Sequence, residues 1–219
     1  GVEEPKPVLA SPAIGSLADA AGLRGGEWVS QAGPDEENLA DVGSFEDLRW
    51  RLTQAALSNE DMTLRVSNEE GGAPRSIVLP LAGLDVREAD ASLFQKIGIT
   101  GPWTQPVVGE VMEGGAAAAA GLRAGDTVRS VDGAAVPDGQ RLRSLIRAST
   151  GPAGEAREQQ WTVDRNGQRI TLTVKPVPER QGDAWVGRVG AYIGAAPEMM
   201  TVRHGPVDGL LKGVVRTWE

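Results

Sequence analysis

The stretch Ile97-Gly98-Ile99-Thr100 has the residue types for one kind of chemistry, capture of an anion by main-chain amides. A glycine between branched aliphatic residues can take dihedrals that turn successive N–H groups to one side, and such a nest holds a carboxylate. Ile97 and Ile99 would then shape a pocket for the last side chain of a peptide, whose backbone would add as an extra strand. A helix expected after Asp138 supplies the facing wall, through Leu142, Leu145 or Ile146. Arg143 and Arg147 lie one helical turn apart on it and would favour an anionic peptide end.

Other chemistries lack their residues. A zinc protease site of the H-E-x-x-H kind needs two imidazoles one helical turn apart with a carboxylate between them. The chain has a single histidine, His204, in a linker-like tail, and no G-x-S-x-G. It has no cysteine, so disulfide and thiolate chemistry are excluded. The net charge of −8 argues against nucleic acid, whose phosphates need a basic footprint. No stretch reaches the roughly 20 apolar residues that span a bilayer, and no signal peptide is visible. The start at Gly1 without Met and the stop at Glu219 give the expectation of a piece of a longer protein.

The elements that must position such a site come in two copies. Residues 7–30 align without a gap on residues 106–129, an offset of 99 residues that sets Gly22-Leu23-Arg24 on Gly121-Leu122-Arg123 and Val29 on Val128. A match of this length reads as a duplication. With 219 residues, two domains of about 100 residues each are expected. Aromatic residues are only 4% of the chain, so the core is expected to come from Val, Leu, Ile and Ala, and 29 glycines with 14 prolines favour strands and turns.

Each copy predicts the same succession. A short strand (Pro7–Ala10, Val107–Met112) leads to a turn of helix (Ser16–Ala21, Gly115–Ala120) ending at a glycine suited to the left-handed cap. The motif G-[ED]-x-V then opens a second strand (Trp28–Gln31, Thr127–Val131). Ser44 with Asp47 reads as a capping box before Leu48, Leu52 and Ala55, and Asp138 caps the corresponding helix of the second copy. Two strands close each unit, Met62–Ser67 with Ser76–Leu81 and Gln160–Asp164 with Arg169–Lys175, the latter pair joined by the hairpin signal Asn166-Gly167.

This order resembles the PDZ module, whose signature stands in copy two from Ala117 to Gly133, as A-A-A-A-G-L-R-A-G-D-T-V-R-S-V-D-G. Copy one departs from it, with Glu27 for the Asp and Gln31-Ala32-Gly33 for V-D-G. The resemblance implies an apolar–Gly–apolar carboxylate loop shortly before the first strand of each bacterial, permuted module. Ile97-Gly98-Ile99 holds that place for copy two, Gly1-Val2 a truncated version for copy one, and Val189-Gly190-Ala191 is a third such triplet. Glu3 and Glu4 beside the first would repel a carboxylate. The expected fold is mainly β with short helices (α+β): two tandem PDZ-like, partly open barrels and a C-terminal amphipathic helix. The boundaries are 1–82 and 97–176 for the modules, 83–96 for a linker and 177–219 for a Gly-rich segment with the helix. In that tail Val207, Leu210, Leu211, Val214, Val215 and Trp218 form an apolar stripe.

The tandem and its tail resemble the periplasmic region of the bacterial regulator-of-sigma-E proteases, within the site-2 intramembrane zinc metalloproteases. That resemblance implies a non-catalytic portion of such an enzyme at the periplasmic face of the inner membrane. Its zinc would sit in an adjacent membrane domain, and this portion itself would hold no cofactor. The implied partners are a membrane-protein substrate such as a cleaved anti-sigma factor, or a peptide C-terminus, the modules filtering substrates sterically or reading the peptide end. The alternative is a PDZ adaptor of an HtrA-like serine protease or a secretion system.

Overall fold

The computed structural model describes residues 1–203, and the expected C-terminal helix and His204 lie outside the described residues. The chain is mainly β with short helices and divides into two compact units.

Unit 1 runs from Gly1 to Trp103. Its elements are β1 (Val2–Pro5), α1 (Leu17–Ala20), β2 (Trp28–Gly33), β3 (Ala40–Asp41), α2 (Phe45–Leu57), β4 (Met62–Ser67), β5 (Arg75–Leu79) and α3 (Ala91–Ile97). The antiparallel sheet has the open order β3-β2-β4-β5. The Ser44 hydroxyl accepts the Asp47 N–H at 3.1 Å while the Asp47 carboxylate takes the Gly43 N–H at 2.8 Å, so α2 starts where its capping residues dictate. Phe45, Leu48 and Leu52 then pack on Val29, Leu64 and Val66 of the sheet.

Unit 2 takes Thr104 to Ala196. It comprises β6 (Val108–Val111), α4 (Ala116–Ala120), β7 (Thr127–Val131), β8 (Ala134–Ala135), α5 (Gly139–Arg147), β9 (Gln159–Arg165), β10 (Gln168–Val174), β11 (Val177–Gln181), β12 (Ala184–Arg188) and β13 (Ala191–Ile193). The sheet order β8-β7-β9-β10 matches that of unit 1 element for element. The offset of 99 residues persists in the hydrogen bonds. Val29 N–H to Pro7 O becomes Val128 N–H to Pro106 O, and Gly26 N–H to Leu9 O becomes Gly125 N–H to Val108 O. Even the bulge after Val29 recurs after Val128.

The structure differs from the sequence-based expectations in four places. Residues 7–10 form only single bridges, Val8 to Trp28 and Leu9 to Pro102, and no continuous ladder. Residues 83–96, expected as a linker, contain α3, capped by Asp90 and anchored by Leu93 and Ile97 in the core of unit 1. Residues 177–193, expected as part of a Gly-rich tail, form the hairpin β11–β12 and the edge strand β13 of unit 2. The core is also not purely aliphatic: Phe45 and Trp161 are fully buried, the indole N–H donating to Gln159 Oε1 at 3.0 Å.

The last described strand, β14 (Met199–Val202), returns to unit 1 and pairs antiparallel with β1, Val2 opposite Val202 and Pro5 opposite Met199. Gly1 and Val2 therefore stand at the end of a two-stranded ribbon, and the carboxylate loop expected there is replaced by it.

Candidate functional site

The residues proposed from sequence to share one peptide groove fall in different units. Ile97, Gly98, Ile99 and Thr100 go with unit 1, whereas Leu142, Arg143 and Ile146 stand on α5 of unit 2. Ile97 and Ile99 are buried in the core of unit 1. Gly98 is the left-handed cap of α3, with φ +92°, and its N–H is spent on Phe94 O at 2.8 Å. That amide points back into the helix and is not presented to an anion. The expected assignment to copy two is corrected accordingly, and Leu142 and Ile146, fully buried in unit 2, act as core residues.

The third triplet, Val189-Gly190-Ala191, belongs to unit 2 and has the geometry the first lacks. Val189 O accepts the Ala117 N–H at 2.8 Å and Gly190 O accepts the Met112 N–H at 2.9 Å. No peptide bond among the described residues is cis. In a trans peptide the N–H lies opposite the C=O. The amides of Gly190 and Ala191 therefore both point away from residues 112–117, one after the other. Gly190 has φ +73°, which lets the chain make this turn without a Cβ penalty.

β13 continues from this loop and, among the described residues, pairs with β6 on one edge only. Gly194 N–H bonds to Val107 O at 2.8 Å, so the Ile193 carbonyl, on the far side of the same peptide plane, faces the opposite edge. The bulge between the two strands puts its extra residue on β6, since Ala191 faces Val111 and Ile193 faces Val108. β13 thus keeps its regular alternation, with the Ala191 N–H and the Ile193 C=O on one edge. α5 lies along that edge, because Arg143 Nη1 donates to Ile193 O at 2.9 Å. One turn on, Arg147 Nη2 donates to Gln181 Oε1 of β11 at 2.8 Å. The elements of a strand-adding groove, loop amides, strand edge and flanking helix, are therefore assembled within unit 2.

In unit 1 the corresponding helix position has another job. Counted from the capping residues Ser44 and Asp138, Arg49 matches Arg143, yet its guanidinium lies 5.4 Å from the Phe45 ring centre and 5.5 Å from that of Phe94 in α3. Trp28 is part of β2, and Trp50, 62% exposed, stands on α2.

The acid of the G-[ED]-x-V motif supports each unit from behind. Asp126, 1% exposed, takes the Arg123 N–H at 2.9 Å and a forked pair of bonds from Arg165, both at 2.8 Å. Burial pushes its pKa up, but the Arg165 bonds, the Arg123 amide and the two cations outweigh it and hold the group below the usual carboxylate range. Glu27 replaces it in unit 1 and reaches the amides of Arg24 and Gly25. A polar depression elsewhere on unit 2 contains Arg129, Asp164 and Arg169, but Asp164 already pairs with both guanidiniums. Among the described residues no group of three or more His, Cys, Asp or Glu is placed to hold a metal, and no helix is long and apolar enough to cross a membrane.

Comparison with known proteins gives two kinds of match. Residues 107–153 match the model of the PDZ domain, which covers β6 to α5 of unit 2. The whole chain aligns with a protein of Ralstonia nicotianae named as a zinc metalloprotease, at 30% identity over 47% of that protein. It also aligns along its whole length with the regulator of sigma-E protease RseP of Escherichia coli, at 26% identity over 48% of that protein. The zinc metalloprotease RasP of Geobacillus kaustophilus is 33% identical over 42% of this chain and 20% of its own length. The chain thus spans about half the length of the relatives it matches throughout.

Proposed function

Because the chain carries a PDZ domain and is homologous along its whole length to zinc metalloproteases of the regulator-of-sigma-E, site-2 family, we propose that it is the recognition portion of such an enzyme, in which unit 2 docks an extended segment of the substrate. The single histidine of this chain cannot furnish an H-E-x-x-H site, so no step of zinc hydrolysis is assigned to these residues. The zinc would be held by the membrane domain of the parent protein. Unit 1, whose four-stranded sheet has the same strand order as that of unit 2, is read as a second PDZ module of the tandem.

The observation that carries this reading is the conjunction at β13: two outward amides at Gly190 and Ala191, then a strand edge with no second β partner among the described residues, flanked by α5. A peptide carboxylate on the two amides places the peptide backbone along β13. In the parent enzyme this would admit membrane substrates whose outer part has been trimmed to a free end, such as a cleaved anti-sigma factor, at the periplasmic face of the membrane. Substrates with a bulky outer domain would present no end to the groove and would be held off.

Calorimetric titration with a peptide ending in valine, compared with its C-terminal amide, tests the reading. Amidation removes the charge that the two amides bind, and hydrogen bonds to a charged group contribute about 1.5–3 kcal/mol. The free acid is expected to bind at least about tenfold more tightly than the amide. Equal affinity for the two, or no saturable heat with any acid of a varied panel, would contradict it.

A further inference from the structure

Arg129, Asp164 and Arg169 meet on the outer face of the unit 2 sheet. Thr127 of β7 and Arg169 of β10 both stand opposite Asp164 of β9. Residues opposite one another in a sheet put their side chains on the same face. Arg129 joins this row through the bulge of β7. Val128 pairs with Val163 and Ser130 with Thr162, which leaves Arg129 as the extra residue. A bulge of this kind re-aims the side chain it carries.

One carboxylate thus orients two guanidiniums. Arg129 Nε donates to Asp164 Oδ2 at 2.5 Å, and Arg169 Nε donates to Asp164 Oδ1 at 3.1 Å. Among the described residues, no hydrogen bond uses the Nη groups of either arginine, and the two side chains are 51% and 64% exposed. The bonds from Arg169 and Arg129 hold the Asp164 carboxyl below the usual carboxylate range, so it stays ionised and keeps both cations in place. Two cations on one carboxylate leave positive charge in excess. Arg165 does not enter this balance, because Asp126 pairs with it. The three residues line a depression of about 700 Å³ that also takes in Thr127 and Asn166, a hydroxyl and an amide that can donate further bonds.

The fold does not require this cluster. In unit 1 the bulge of β2 carries Ser30, 99 residues before Arg129, and Trp28 faces Ser67 where Thr127 faces Asp164. The same strand order forms there with serines in both places.

We propose that Arg129 and Arg169 form an oxyanion clamp that binds a phosphate group, carried by free phosphate or by a lipid headgroup. A tetrahedral phosphate has oxygens for the Nη groups of both guanidiniums and a further one for Thr127 or Asn166, and guanidinium forks match phosphate geometry. Asp164 acts as a positioning residue, holding each arginine by Nε and leaving the Nη edges to the ligand. The clamp uses no residue of the β13 groove, so it stands or falls separately from the peptide-end reading.

The test titrates inorganic phosphate into the whole chain, at constant ionic strength made up with chloride, and follows backbone amide and arginine Nε signals by nuclear magnetic resonance. Saturable shifts are expected at Arg129, Asn166, Gly167 and Arg169. Arg129→Gln and Arg169→Gln are each expected to weaken binding about tenfold, the loss of a hydrogen bond to a charged group. Arg169→Lys, which keeps the charge without the fork, is expected to weaken it severalfold. Exposed ion pairs add little to stability, so the variants are expected to unfold at the same urea concentration as the natural chain. Flotation with vesicles of phosphatidylcholine, alone or mixed with phosphatidic acid, separates the two sources. Retention only by the vesicles with phosphatidic acid, lost when both arginines are Gln, assigns a headgroup, and phosphate binding without retention assigns the free ion. The clamp is overturned if phosphate gives no saturable shift beyond that of chloride and no vesicle retains the chain. It is equally overturned if the variant with both arginines replaced by Gln binds either probe as well as the natural chain does.

Discussion

Asp126→Ala is expected to destabilise unit 2 by about 3 kcal/mol, the lower end of the cost of breaking a buried ion pair. The loss comes from what is left behind. Arg165, with its side chain 16% exposed, would keep its charge while losing both bonds of the fork, and the Arg123 amide would lose its acceptor. The remaining bond of Arg165, to Gly121 O at 2.8 Å, caps α4, so the end of that helix loosens as well. Glu27→Ala in unit 1 is expected to cost only about 1–2 kcal/mol, because its carboxylate accepts from the main-chain amides of Arg24 and Gly25. Urea unfolding of the two variants measures the contrast. Acid adds a second readout. The folded pKa of Asp126 lies below its unfolded value, so its contribution is complete above the ordinary carboxylate range and disappears as the pH falls through the folded value. Asp126→Ala should therefore flatten the loss of stability at the acid end.

Gly98→Val is expected to cost unit 1 about 3 kcal/mol. Positive φ alone costs a side chain about 1–2 kcal/mol, and crowding in a packed site about 1–3 kcal/mol. The new Cβ would lie 2.0 Å from Ser16 Oγ, 2.5 Å from Ser16 Cβ and 3.3 Å from Ala18 Cβ. Ser16 cannot withdraw cheaply, because its hydroxyl caps α1 by accepting the Asp19 N–H at 3.3 Å. Gly190→Val is the instructive partner. Its nearest contact would be Gly115 Cα at 3.4 Å, so it bears the dihedral cost without the clash and is expected to lose about 1–2 kcal/mol. Urea unfolding followed by circular dichroism distinguishes them. Equal losses would mean that the two glycines play the same part in their units.

The duplication, the capping residues and three strands of each four-stranded sheet were legible because they rest on local signals that the two copies repeat. Ser44 and Asp138 cap their helices, Asn166-Gly167 turns the β9–β10 hairpin, and the G-[ED]-x-V acid fixes its own preceding turn. The loop assignment was not legible, because any apolar–Gly–apolar triplet has the composition of a nest and only its neighbours decide the direction of its amides. Asp90 followed by Leu93, Phe94 and Ile97, with Gly98 next, is a complete helix with both caps, and that pattern marks Gly98 as a helix terminator. A second signal lay in spacing: Gly98 packs on Ser16 and Gly190 on Gly115, residues 99 apart that hold the same place in the repeat. Arg143 was visible as a cation on the right helix, but its bond to a carbonyl 50 residues away depends on tertiary packing that sequence spacing does not carry.

The most direct measurement is nuclear magnetic resonance of the backbone amides during titration with a valine-terminated peptide acid. A carboxylate seated on the loop is expected to shift the Gly190 and Ala191 N–H signals most, in step with saturation, while the C-terminal amide leaves them in place. Shifts centred on Ile97 to Thr100, or none at Gly190 and Ala191 at saturating peptide, would contradict a groove built on β13.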